Sequence, residues 1–286
     1  MTSIYIGGTL LFLVVTGLVL LWTVANARYR TNMAKAQVAW SDIATRETGQ
    51  PDTFTPELVV GQPEIAKRYF NHAIAPGTRL YRRAELTMSG EFLLGEGDAQ
   101  QSYAMRARQI LAPPHEFVWI ADMAKGPIRI SGSDGLHQSH GWTRFWMFRC
   151  APLIQLAATA DLDRAAAARP AIEAIWAPAT LLPDHGAVWK QTADDTAEVS
   201  FGTGVQAITV TLRIGEEGAL KEIWTERWTD ANPDKIYKIQ TFGAVIEAEE
   251  QFAGFTIPSQ VTVGNQFGTP DYLAFFRAKL DAVRHF

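Results

Sequence analysis

Residues 79–94 read RLYRRAELTMSGEFLL, and the period of this stretch decides the fold. Leu80, Ala84, Leu86, Met88, Phe92 and Leu94 alternate with Arg79, Arg83, Glu85, Thr87, Ser89 and Glu91. In an extended chain successive side chains point to opposite faces, so a period of two gives one apolar and one wet face. The stretch therefore predicts a half-buried strand. At about 15 residues it is long against the usual five or six, so it must curl, with Gly90 the expected bend. Arg82 interrupts the apolar face. An unpaired buried guanidinium is costly, so Arg82 is expected either to meet a carboxylate or to reach a cavity mouth with only its stem buried.

Alternating or β-rich runs follow at 102–111, 115–123, 128–131, 136–139 and 144–150, and Asp134-Gly135 is the strongest local hairpin signal in the chain. The pattern then breaks. Residues 157–182 are dense in alanine and predict helix, with Asp161 as N-cap, Pro170 splitting the segment and Pro178 ending it. Strands resume at 187–191, 197–201, 205–214 and 220–229, β-like sequence continues over 236–263, and Phe275 to Leu280 alternates well enough for a last strand. Upstream, Pro63 opens a short amphipathic helix through Ile65, Ala66, Tyr69, Phe70, Ala73 and Ile74. About ten strands with two or three helices in one soluble unit, residues 63–286, predict an α+β, mainly β fold. The expected architecture is a curved antiparallel sheet, a half-barrel, packed on two or three short helices. No period of 20 to 50 residues repeats, which argues against a propeller or solenoid.

Before this unit, Ile4 to Ala25 is a nearly continuous apolar run of 22 residues, IYIGGTLLFLVVTGLVLLWTVA. At roughly 1.5 Å per residue it is long enough for a hydrocarbon core of about 30 Å. An N-terminal transmembrane helix is expected over 4–27, making the chain a single-pass membrane protein with the bilayer as a partner. A juxtamembrane stalk and a Pro- and Gly-bearing linker should follow over 28–62. Ala25-Asn26-Ala27 resembles a signal-peptide cleavage site, but a basic n-region is missing and Arg28 and Arg30 follow directly. The few flanking charges leave the side of the membrane open.

The chain has 286 residues, 47% of them hydrophobic and 20% charged, values that imply a packed core. A net charge of −4 without a Lys/Arg block argues against nucleic acid as a partner. Cys150 is the single cysteine, so neither an internal disulfide nor a cysteine zinc site can form. Gly202-Thr203-Gly204-Val205-Gln206-Ala207 matches a dinucleotide pattern on paper, but β-type sequence follows where that motif needs a helix N-terminus, so it is a turn. Asp134, His137 and His140 are expected as hairpin polar residues, since positions three apart on a strand face opposite ways. No metal and no cofactor are expected. Seven tryptophans, Trp119, Trp142, Trp146, Trp176, Trp189, Trp224 and Trp228, either fill a core or line a cavity for a hydrophobic small molecule or lipid.

Glu173, Trp176, Pro178, Leu181, Leu182 and Pro183 spell E-x-x-W-x-P-x-x-L-L-P, followed by Trp189. The segment resembles an uncharacterised bacterial domain-of-unknown-function family, in which it sits between two β-rich halves. Phe117-x-Trp119, Gly126-Pro127, Arg227 and Ile257-Pro258 add to the likeness, which spans most of 63–286. The layout is similar to the periplasmic lipoprotein-carrier half-barrel, which implies a curved sheet wrapped round helices over a hydrophobic cavity. Glu173 and Trp176, three apart on a helix, should share a face near the turn that Pro178 forces, with Arg227 as partner of Glu173. Glu173, Trp176, Pro178, Leu181, Trp189, Arg227 and Arg82 are thus the candidate site, as a ligand-headgroup site or a structural clamp. The expected function is a membrane-anchored protein binding a lipid or other apolar ligand. The alternative is a solid-core interaction module, and no nucleophile, base and orienting group can be placed together for an enzyme.

Overall fold

The computed structural model describes the backbone of residues 2–47, 49–95, 99–204, 207–232 and 234–286; of residues 2–11, 14 and 18 it describes the backbone alone. A long helix, α1 (Thr2–Thr45), leads to α2 (Glu64–Ala73) and six strands. These are β1 (Ala84–Leu94), β2 (Gln101–Ala112), β3 (Glu116–Lys125), β4 (Ile128–His137), β5 (His140–Met147) and β6 (Ala151–Ala157). The helix α3 (Ala160–Ile172) and three short 3-10 turns intervene. Seven more strands complete the chain: β7 (Ala187–Gln191), β8 (Thr196–Phe201), β9 (Ile208–Ile214), β10 (Leu220–Thr229), β11 (Lys238–Phe252), β12 (Phe255–Asn265) and β13 (Leu273–His285).

All thirteen strands form one antiparallel sheet in the order β6-β5-β4-β3-β2-β1-β13-β12-β11-β10-β9-β8-β7. Each half is a meander of sequential strands, and β1 zips to β13 to join the halves. The curl of the sheet follows from one helix. α3 packs against β5 and also against β10, which lies eight strand spacings away in the sheet. Flat, those strands would be roughly 38 Å apart at about 4.8 Å per spacing, yet a helix is only about 10 Å across. The sheet must therefore wrap round α3. The expected mainly β, α+β fold with a curved, unclosed sheet is present.

Opposite faces of the sheet bury different helices. Ala84, Leu86 and Met88 of β1 belong to the concave core with α2 and α3, while Ile110, Val118 and Trp142 turn outward onto Ala36, Ala39, Trp40 and Ile43 of α1. Polar contacts hold that outer helix: Trp40 donates Nε1–H to Glu85 at 3.2 Å, and Arg46 meets Glu116 at 2.5 Å. Among the described residues no helix is long and apolar enough to cross a membrane. The anchor expected at 4–27 falls in part on residues 4–11, 14 and 18, whose side chains lie outside the description.

Several sequence expectations are corrected. The first strand begins at Ala84 rather than Arg79, and Arg82 stands exposed ahead of it instead of interrupting its apolar face. It is Arg83 that is buried, donating to the Ile43 carbonyl and lying 4.7 Å from the Phe286 ring centroid. Asp134-Gly135 is not a turn: both lie within β4, and the hairpin is made by Gln138 and Ser139 at φ 49° and 65°. Gly135 serves a close approach, since a Cβ there would come within 2.4 Å of the Trp142 ring. The 128–131 run and residues 136–137 therefore belong to one strand, and 138–139 are its turn. β6 falls almost wholly on 151–156, where no element was expected, and α3 is capped by Thr159, whose side chain accepts from Leu162 N, rather than by Asp161. Pro170 does not split α3. It removes one backbone bond in the last turn, while Pro170, Ala171 and Ile172 are all buried there.

Candidate functional site

Between α3 and the concave face lies a cavity of about 260 Å³. Its wall is aromatic: Phe92 lies 6.1 Å from Trp119, 5.7 Å from Phe275 and 6.2 Å from Phe276, and Trp119 lies 5.9 Å from Phe145. Phe275 and Phe276 are adjacent yet both line the cavity. The register explains it, since Val263 pairs Phe276 while Gly264 pairs Ala274, so Phe275 is an extra residue at a β-bulge. Ile172, Ile175, Val261 and Ile223 add aliphatic surface.

Against this apolar lining sits a compact polar cluster. Arg169, on the last turn of α3, reaches Asp134 of β4 at 2.5 Å and Glu173 at 2.8 Å. Both Arg169 and Glu173 are almost closed off, with side chains 15% and 13% exposed. The other oxygens of the acids are taken as well: Asp134 accepts from Thr143 at 3.0 Å, and Glu173 accepts from Gln109 Nε2 at 2.5 Å. Burial pushes the Glu173 carboxyl above its ordinary range against the pull of Arg169. Burial also draws the Arg169 guanidinium down, but Glu173 and Asp134 outweigh it and hold it up.

Arg227 is the second cation. It donates Nε–H to the Ala165 carbonyl of α3 at 3.0 Å and lies 4.8 Å from the Phe242 ring centroid. Burial, and next the like charge of Arg169, lower its pKa to about 10, so it remains charged at neutral pH. The expected Glu173–Arg227 pair is not formed. Arg169, four residues before Glu173 on the same helical path, takes that carboxylate instead.

The remaining predicted positions divide in two. Glu173 and Trp176 both line the cavity from a 3-10 turn, whose three-residue period stacks them as expected of a helix face. Trp176 donates Nε1–H to the Pro258 carbonyl at 3.0 Å, tying the turn to β12. Pro178 and Leu181 are buried in the next turn, and Trp189 donates to the Leu181 carbonyl at 2.8 Å from the core beside Tyr69 and Phe70. These three lie outside the cavity, and so does Arg82. Of the seven tryptophans, Trp119 and Trp176 line it. His137 turns away from Asp134 to Asp42 at 3.1 Å and Glu116 at 2.9 Å. Among the described residues no group of three or more His, Cys, Asp or Glu is placed to hold a metal.

Sequence reasoning missed Arg169, Gln109, Phe92, Phe242, Phe275 and Phe276. The Arg169–Glu173 spacing of four on a helix was the one available signal for the first of these.

A curved, unclosed antiparallel sheet wrapped round a helix, with a mainly apolar cavity that holds one ionic cluster shared between helix and sheet, defines a half-barrel protein with an internal cavity. Residues 52–278, a span that holds every residue of the ionic cluster, match DUF6544, a family of unknown function, and the chain belongs to that family. No curated protein matches it. Among solved structures it is similar to a LolA superfamily protein from Nitrosomonas europaea, at 7% identity and TM-score 0.40 over 78% of this chain and 92% of that one. A putative outer membrane lipoprotein-sorting protein domain from Vibrio parahaemolyticus gives 8% identity and TM-score 0.40 over 78% and 91%. A DUF1329 family protein from Desulfovibrio piger gives 7% and 0.33 over 80% and 91%.

Proposed function

We propose that this is a membrane-tethered binding protein that holds an acyl chain or similar apolar ligand between the concave face of the sheet and α3. The cavity carries this reading. At about 260 Å³, lined mainly by aromatic and aliphatic side chains with a few convergent polar groups, it has the composition of a ligand pocket near the lower end of their size range, about 300 Å³. The tether rests on the apolar run at 4–25, whose described side chains, such as Phe12 at 68% and Leu21 at 69%, stand exposed on α1. Access supports it too. Leu153 and Ile154 of the edge strand β6 line the cavity and are also exposed, and α1 touches the same corner, with Asn26 donating to the Arg149 carbonyl at 3.3 Å and Asn32 to Gln155 at 3.2 Å. A ligand leaving the bilayer beside α1 thus meets β6 first.

Native mass spectrometry of the full chain, released from membranes in nanodiscs, tests the binding reading. A lipid-mass adduct that survives activation sufficient to strip the disc is expected, and a bare protein mass under those conditions refutes it. For the tether, the full chain should stay with the membrane through carbonate extraction, and a mature N-terminus at Arg28 would show that no anchor is retained.

A further inference from the structure

We infer that the cavity takes a single-chain amphiphile with an anionic head, and that Arg227 is the counter-ion for that head. The inference rests on the binding reading above and deepens it. Of the four charged side chains lining the cavity, three close on one another: Arg169 is bonded through Nε, Nη1 and Nη2, and both oxygens of Asp134 and of Glu173 accept hydrogen bonds. Arg227 differs. A guanidinium carries five N–H donors, and among the described residues Arg227 uses one, to Ala165, with no carboxylate at ion-pair distance. An interior cation with spare donors beside an apolar void is complementary to a carboxylate or phosphate, which a guanidinium grips through two parallel N–H groups. The Phe242 ring beneath it and the phenylalanine wall beyond leave the rest of the ligand apolar. A cavity of about 260 Å³ suits one alkyl chain rather than the two of a phospholipid.

The charges also set how binding responds to pH. Arg169 and Arg227 together balance Asp134 and Glu173, with Asp230 the further acid felt by Arg227. A bound anion brings the interior one negative charge beyond balance. Glu173, already displaced upward by burial, is the group placed to take up a proton in response. Anion binding should therefore strengthen as pH falls, for a head that stays ionised.

The test uses the full chain in nanodiscs with [1-13C]dodecanoate, dodecyl phosphate and dodecanol as probes, binding read by carboxyl 13C or phosphorus-31 NMR and by competition. Wild type should bind dodecanoate or dodecyl phosphate at least tenfold more tightly than dodecanol, and whichever anion is preferred identifies a fatty-acid-like or a phosphate head. Arg227→Gln should abolish that preference, and Arg227→Lys should restore part of it. Equal binding of the three probes by wild type overturns the anionic-head inference while leaving apolar binding intact, a result that needs no variant. Binding of none of them overturns both. An unchanged anion preference in a folded Arg227→Gln protein overturns the role of Arg227.

Discussion

Replacing Arg169 with methionine is the sharpest perturbation of the cavity, because it removes the one cation bonded to both buried carboxylates. Arg169 sits 2.5 Å from Asp134 and 2.8 Å from Glu173. At those separations each pair is worth roughly 6 kcal/mol in an effective dielectric of about 20, much of it offset by desolvation of the three ions. Removing one partner of a buried pair typically costs about 3–5 kcal/mol, since it strands the other charge. At about 2–4 °C per kcal/mol for a domain of this size, Tm should fall by roughly 6–20 °C at pH 7.5. The deficit must depend on pH. Without the guanidinium, the folded-state carboxyl of Glu173, already raised by burial, rises further above its unfolded value. A carboxyl whose folded pKa lies above the unfolded one favours folding at low pH and loses that contribution as pH rises. The variant should thus recover stability towards pH 5, and Glu173→Gln added to Arg169→Met should recover part of it at pH 7.5. Calorimetry on both proteins at both pH values decides. A loss below about 1 kcal/mol, or one equal at the two pH values, would refute the view that this cluster is a buried, mutually neutralised set.

Two further outcomes follow from local geometry. Gly90→Ala should break the seam between the two halves of the sheet, because a Cβ would come within 2.0 Å of the Arg277 carbonyl oxygen on β13; loss of amide-exchange protection at both β1 and β13 reports it. His285, buried with Nε2–H donating to the Trp176 carbonyl at 2.9 Å, has a pKa lowered from 6.5 by burial. Its folded pKa lies below the unfolded one, so stability is full above pH 6.5 and is lost as pH falls through the folded pKa. His285→Gln should flatten the stability profile in that window, and an unchanged profile would show that His285 does not set it.

The architecture was legible where one face of a strand is buried. The alternation in 84–94, the strands of the second half and the alanine-rich helix all follow from local period and propensity, which tertiary contacts here reinforce. The misreadings fall where a distant contact overrides a local signal. Asp134-Gly135 has turn chemistry, but Asp134 is drawn to Arg169 and Gly135 lies under Trp142, so β4 runs straight through and the turn passes to Gln138 and Ser139. β6 escaped notice because an exposed edge strand has no buried face to impose a period of two. The motif segment was legible as a helix terminus against the sheet, but the partner of Glu173 was not. Arg227 and Arg169 are both reachable on paper, and the spacing of four along the helix gives Glu173 to Arg169.

That curl also explains why charge sits at this point in an otherwise apolar interior. α3 packs against both β5 and β10, so its rotation bears on both halves of the sheet at once. An alanine-rich surface specifies rotation poorly, since small side chains interdigitate weakly. Asp163 accepting from Gly141 N at 2.6 Å, Arg169 from α3 to Asp134, and Arg227 from β10 to the Ala165 carbonyl fix it instead, one side to β4 and β5 and the other to β10. The price in desolvation is met only if all members stay bonded, and Arg227 is the member left with donors to spare. On the proposed binding mode, a ligand head that engages Arg227 would act on the contact joining α3 to the second half of the sheet, through the Ala165 carbonyl.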